Sequence, residues 1–182
     1  MDRTVIQNFH TSLSARFPTK REIYLVFAVC VLPIHLWSII FTFFDVPSLI
    51  LRASIWEIIG VFSYVLVFTL LESLIVLLIL VIFGILLPNN LIGTRFVALS
   101  ATFVFITSIW LISLHSQGLF INSWYLVPYI LCLIICFSIV FLYKEIEKSI
   151  NSIVNRLAPL SYIYVLFDLA GIIIITIRNL NF

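Results

Sequence analysis

Five long apolar runs, separated by short polar segments, set the pattern of this chain. They are Ile23 to Phe44, Ile58 to Leu87, Phe96 to Leu114, Trp124 to Tyr143 and Leu160 to Ile177, the last being the shortest. The hydrocarbon layer of a bilayer is about 30 Å thick and a helix rises about 1.5 Å per residue, so about 20 apolar residues suffice to cross it. Each run is therefore predicted to be a membrane-spanning helix. The second run would be about 45 Å long as one helix, so it must tilt, project beyond the hydrocarbon, or break near Gly60 or Ser63. Pro88, Asn89 and Asn90 mark its end as a turn.

Two polar segments carry a helical apolar period. Between Lys144 and Leu157, the residues Ile146, Ile150, Ile153, Val154 and Leu157 share one face, with Glu145 and Lys148 on the other. Residues 144–159 are predicted to be an amphipathic cytoplasmic connector that continues the fourth span along the membrane surface until Pro159 starts the fifth. Residues 1–22 show a weaker version, with Ile6, Phe9, Leu13 and Phe17 on one face. This segment is too long and mixed for a signal n-region, and the run after it lacks a small-residue cleavage site. That run is expected to remain as the first membrane helix.

Composition leads to the same place. Hydrophobic residues make up 63% of the chain and charged ones 10%, with a mean hydropathy of +1.25. A soluble domain carries about 25% charged residues. The fold class expected is an all-α integral membrane protein, a bundle of about five transmembrane helices with short loops and amphipathic surface helices, forming one membrane domain over 1–182.

Charge orients the bundle. With an inside N-terminus, the inner loops collect Arg3, Arg16, Lys20, Arg21, Arg95, Lys144, Lys148 and Arg156, and the outer ones only Arg52 and Arg178. Basic residues in short loops favour the cytoplasmic side, which predicts a cytoplasmic N-terminus and an outside C-terminus. Trp37, Trp56, Trp110 and Trp124 then fall toward the outer interface, and Tyr24, Tyr143 and Tyr162 near the inner one. A bacterial inner membrane fits the short loops. The net charge of +2 does not argue for nucleic acid as a partner.

Three ionisable residues fall deep in the predicted spans: His35, Glu72 and Asp168. At this depth a charge costs about 2.5–3.5 kcal/mol on insertion scales, so something must offset it. One explanation is a proton or ion pathway through the three groups. The other is hydrogen bonding between helices, with Ser63, Ser73 and Tyr64 as candidate partners. A transporter core would carry more polar groups with glycine or proline breaks beside them, yet the chain holds 5 glycines in all, so hydrogen bonding takes the greater weight. Pro33 and Pro128 lie inside spans and each frees a carbonyl; Pro33 stands two residues from His35, where the two could share one polar site.

Other chemistry has little support. Cys30, Cys132 and Cys136 all lie in apolar runs without metal or redox spacing and are expected to stay reduced. His35 and His115 lie at unmatched depths for a bis-histidine haem, and no cofactor or metal is expected. Hydrolase, phosphate-loop and zinc-protease motifs are missing, and no catalytic residue is assigned, so the sequence points away from an enzyme. Ser63, Ser73, Ser108 and Ser113 are expected to bond their own helix backbones. Ala98 and Thr102 form the one convincing small-residue pair within a span, and large apolar side chains cover the helices on all sides. These features favour a non-catalytic subunit or accessory protein that contacts lipid and either another membrane protein or itself. The alternatives are a small proton- or ion-coupled transporter using His35, Glu72 and Asp168, and a membrane enzyme acting on lipid substrates near Lys144 to Arg156.

Overall fold

The structure, a computed structural model, describes residues 17–86, 95–116 and 123–180. Six helices and no strand make up these residues: α1 (Lys20–Ile50), α2 (Ile55–Leu86), α3 (Phe96–Ser116), α4 (Ser123–Leu142), α5 (Lys144–Leu157) and α6 (Leu160–Leu180). Five of them, all but α5, are long and apolar enough to cross a membrane. The amphipathic face expected at Ile6, Phe9 and Leu13 and the turn expected at Pro88 to Asn90 lie outside the described residues.

The first two helices begin earlier than their apolar runs, because each is started by a polar cap. Thr19 caps α1: its hydroxyl accepts from Glu22 N–H at 3.3 Å, and its backbone N–H donates to Glu22 Oε2 at 2.7 Å. Ser54 and Glu57 make the same reciprocal pair at the start of α2, at 3.4 and 2.6 Å. Both boxes satisfy backbone donors that a helix start would leave open. The second run does not break at Gly60 or Ser63. α2 is continuous over 32 residues, about 48 Å in length. α1 likewise runs on through Pro33 and Pro47.

On α2 and α6 the polarity is inverted relative to a soluble protein. On α2 the buried residues are Gly60, Ser63, Thr69, Ser73 and Leu80, whereas Phe68, Leu71, Leu78 and Phe83 are exposed. On α6 the buried residues are Ser161, Asp168 and Gly171, and Leu166, Phe167 and Ile173 are exposed. Water would reverse both patterns, whereas lipid favours them: small residues let helices approach, and hydroxyls bond their own carbonyls. Gly171 shows the approach directly, since a Cβ there would stand 3.1 Å from the carbonyl oxygen of Ser63. One turn earlier on α2, the Arg178 guanidinium lies against Gly60. The two helices are therefore antiparallel, while α6 runs parallel to α1, with Tyr24 stacked on Tyr162 and His35 beside Asp168.

The apolar core sits toward the end of the bundle where α1 begins. Val26, Val29 and Cys30 pack there with Leu80, Val97 and Ala101. α5 closes this end. Tyr143 is in an extended conformation that separates α4 from α5, so the connector is a distinct helix and not an unbroken continuation of the fourth. Val154 and Ala158 of this segment join the core and Ile150 packs beside them, while Ile153 stays exposed. Arg21 bonds Asn155 at 3.1 Å, Tyr24 bonds the Ala158 carbonyl at 2.9 Å, and Arg95 pairs with Glu147 at 3.1 Å.

Candidate functional site

Of the three ionisable residues in the middle of the apolar runs, two meet and one stands apart. His35, on α1 just past Pro33, and Asp168, on α6, are both fully buried. His35 Nε2 lies 2.9 Å from Asp168 Oδ1 and 3.1 Å from Oδ2. The other ring nitrogen, Nδ1, lies 3.0 Å from the Val31 carbonyl oxygen. The Tyr164 ring, one turn before Asp168, packs at 5.2 Å from the imidazole.

This geometry sets the proton inventory. A carbonyl only accepts, so Nδ1 carries a hydrogen and donates it to Val31. Nε2 and the carboxyl then need one hydrogen between them. Placed on Nε2, it makes an imidazolium–carboxylate pair; placed on the carboxyl, it makes an imidazole–acid pair. Both forms carry no net charge, which is the condition for two titratable groups to sit together away from water. The carboxyl is thus engaged by the imidazole and the imidazole by two acceptors. Chemically, the pair can hold two helices together through one shared proton.

Glu72 is placed differently. It lies near the midpoint of α2, on its exposed face, and makes no hydrogen bond or ion pair among the described residues. Of the hydroxyls expected as partners, Ser63 and Ser73 are engaged elsewhere and Tyr64, exposed on α2, bonds no described residue. Ser63 donates to the Ile59 carbonyl and Ser73 to the Thr69 carbonyl, each at 2.8 Å, while Thr69 donates to the Val65 carbonyl. Ser73 and Thr69 point inward, and Glu72 between them points out.

The remaining polar and aromatic groups serve contacts between helices. Thr107 of α3 and Tyr129 of α4 share a hydrogen bond of 2.8 Å, a link that sequence inspection missed because neither residue is an acid or base that carries charge at neutral pH. Arg95 also donates to the Phe141 carbonyl at 3.2 Å and lies over the Phe141 ring, tying α4 to the start of α3. His115 packs edge-on against Phe41 at 4.4 Å, at the far end of α1 from the core. Cys30 is buried, Cys132 and Cys136 are partly so, and all three are free. No group of three histidine, cysteine or acidic side chains gathers among the described residues.

A cleft of about 420 Å³ opens between α2, α3 and α4. Leu80, Phe96, Leu99 and Ser100 form its buried floor, and the exposed Ile79 and Phe83 stand at its rim. Five phenylalanines line it, and Ser100 is the one polar residue among its walls. It offers apolar contact and almost nothing to orient a polar substrate. Compared with family profiles, curated proteins and solved structures, the chain matches none, so its own residues are the guide to what it does.

Proposed function

We propose that this chain is a non-catalytic polytopic membrane protein that serves as a subunit or accessory of a larger membrane assembly. Its membrane is a bacterial plasma membrane, with the N-terminus cytoplasmic and the C-terminus outside. The observation that carries this reading is Glu72, a carboxyl on the outer face of α2, halfway along the helix and without a partner in its own chain. A protein that worked alone in lipid would gain from replacing it, because a charge at mid-depth costs about 2.5–3.5 kcal/mol.

The pairing of His35 with Asp168 supports the same view from the other side. A carrier built on the three groups would need them to exchange protons. Here two are closed on each other inside the bundle, and the third stands outside it. An enzyme acting on lipid would need polar groups gathered at one site, yet on α5 Glu147 holds Arg95, Asn155 holds Arg21, and Lys144, Glu145, Lys148 and Arg156 are exposed charges of a surface helix. Membrane lipid remains the expected occupant of the phenylalanine-lined cleft.

Two measurements test the proposal. The tagged chain, extracted from its native membrane in mild detergent, should have a complex mass that includes a second protein in fixed stoichiometry. A mass equal to the chain and its detergent alone would sink the subunit reading. For the topology, an impermeant thiol reagent should label Arg52→Cys in intact cells and leave Lys148→Cys unlabelled; the reverse pattern would overturn the orientation.

A further inference from the structure

The exposed face of α2 bears the only carboxyl or basic group in the middle of an apolar helix, among the described residues, that is left without a partner, and its surroundings specify what should meet it. From Ile55 to Glu72 is 17 residues, about 25 Å along the helix, and from Glu72 to Leu86 is 14 residues, about 21 Å. With α2 centred in a hydrocarbon layer of half-thickness about 15 Å, the side chain sits well inside both interfaces. Acyl chains offer it no hydrogen bond. Around it, Tyr64, Phe68, Leu71, Ile75, Leu78 and Ile82 form an exposed stripe with alternating spacings of four and three. That spacing is the seam along which two helices pack with a left-handed crossing.

A second copy of this chain does not supply the missing partner. Its described lysines and arginines, Lys20, Arg21, Arg52, Arg95, Lys144, Lys148, Arg156 and Arg178, all lie at or near helix ends. His35 is the one basic group at mid-helix, and it is fully buried against Asp168. We infer that Glu72 and the stripe beside it form a docking site for the transmembrane helix of a different protein, one that carries a lysine or arginine at mid-depth. This inference rests on the subunit reading above and names the chemistry of the partner. In lipid such a pair gains a charge-assisted hydrogen bond in a medium of low dielectric, and each charge offsets the insertion cost of the other.

The test uses synthetic peptides as the partner. The full chain, labelled with a donor dye, is reconstituted in phosphatidylcholine vesicles. Leucine-rich transmembrane peptides with a central lysine, a central leucine or a central glutamate carry the acceptor. Energy transfer should report association with the lysine peptide at least tenfold tighter than with the leucine peptide. Glu72→Gln should abolish that preference, and Glu72→Lys should transfer it to the glutamate peptide. Because the position is exposed, both variants should melt with the wild-type chain, which separates lost docking from lost fold. Equal binding of the lysine and leucine peptides would overturn the inference. So would Glu72-dependent energy transfer between copies of the chain without peptide, which would assign the face to self-association. If the native complex holds a second protein and survives Glu72→Gln intact, the docking point falls while the subunit reading stands. If the native complex holds none, that reading falls as well.

Discussion

Replacing Asp168 tests the proton inventory of the buried pair. In Asp168→Ala, Nδ1 of His35 keeps its bond to Val31, but Nε2 faces a void. The imidazole can stay neutral, so the cost is that of an unsatisfied polar nitrogen plus a small cavity, about 2–3 kcal/mol, below the figure for a stranded charge. At about 2–4 °C per kcal/mol for a chain of this size, the melting temperature in detergent should fall by about 4–12 °C. Asp168→Asn should behave otherwise. With Nδ1 already donating, neutral Nε2 is an acceptor, and the asparagine amide can turn an N–H toward it, so this variant should melt within about 3 °C of wild type. His35→Ala should be the worst of the three, since it strands a carboxyl and leaves a larger hole. His35→Leu combined with Asp168→Leu should recover most of the loss, because a well-packed apolar pair can replace a buried polar one at little cost. A double-mutant cycle should return a coupling of about 1–2 kcal/mol, the upper end for contacts between membrane helices. The reasoning fails if Asp168→Asn melts as low as Asp168→Ala, or if Asp168→Ala melts with wild type.

Three further outcomes follow from the packing. Gly171→Ala should already destabilise by about 1 kcal/mol, read as a lower melting temperature, because its Cβ would press on the Ser63 carbonyl, and Gly171→Val should cost more, about 1–3 kcal/mol. Ser54→Ala should remove about 1 kcal/mol from the start of α2, seen as faster amide exchange at Glu57 and Ile58 with α6 unchanged. Arg95→Gln should cost about 1–3 kcal/mol, since it leaves the buried Glu147 carboxyl without its cation, and it should loosen α5 and raise maleimide labelling of a Val154→Cys reporter.

Helix existence was legible in the apolar runs, and all five long helices lie within a few residues of them at most ends. The starts of α1 and α2 were placed three residues late because hydropathy stops at the first charge. The signal was present in Thr19 with Glu22 and Ser54 with Glu57, whose spacing is that of a capping box. The first apolar run ends at Phe44, before the charge of Asp45, whereas α1 continues through Pro47 to Ile50. The depth of His35, Glu72 and Asp168 was also legible. Their relation was not, because which helices touch is decided by contacts across 133 residues of chain. One clue could have separated the two acids. Asp168 shares its face with Ser161, Tyr164 and Gly171, small or polar residues at helical spacing, whereas one turn on either side of Glu72 stand Phe68 and Ile75.

That contrast explains what the buried pair does for the fold. The exposed positions of α6, among them Leu166, Phe167, Ile172 and Ile173, are almost all large and apolar. Lipid solvates any of them as well as the bundle interior does, so these side chains give the helix little preference for one rotation over another. Turning α6 by one residue, about 100°, would carry Asp168 into acyl chains and leave His35 without its partner. The cost of that single misplacement, together with the close approach that Gly171 alone permits, selects the observed rotation. Glu72 imposes no such choice within its own chain, because it gains nothing from any described neighbour. An acid that specifies an internal interface has its hydrogen-bonding capacity met inside the bundle, as Asp168 does. By the same logic, an acid that stays unmet on the outer face of α2 specifies an interface whose other half is carried by another protein.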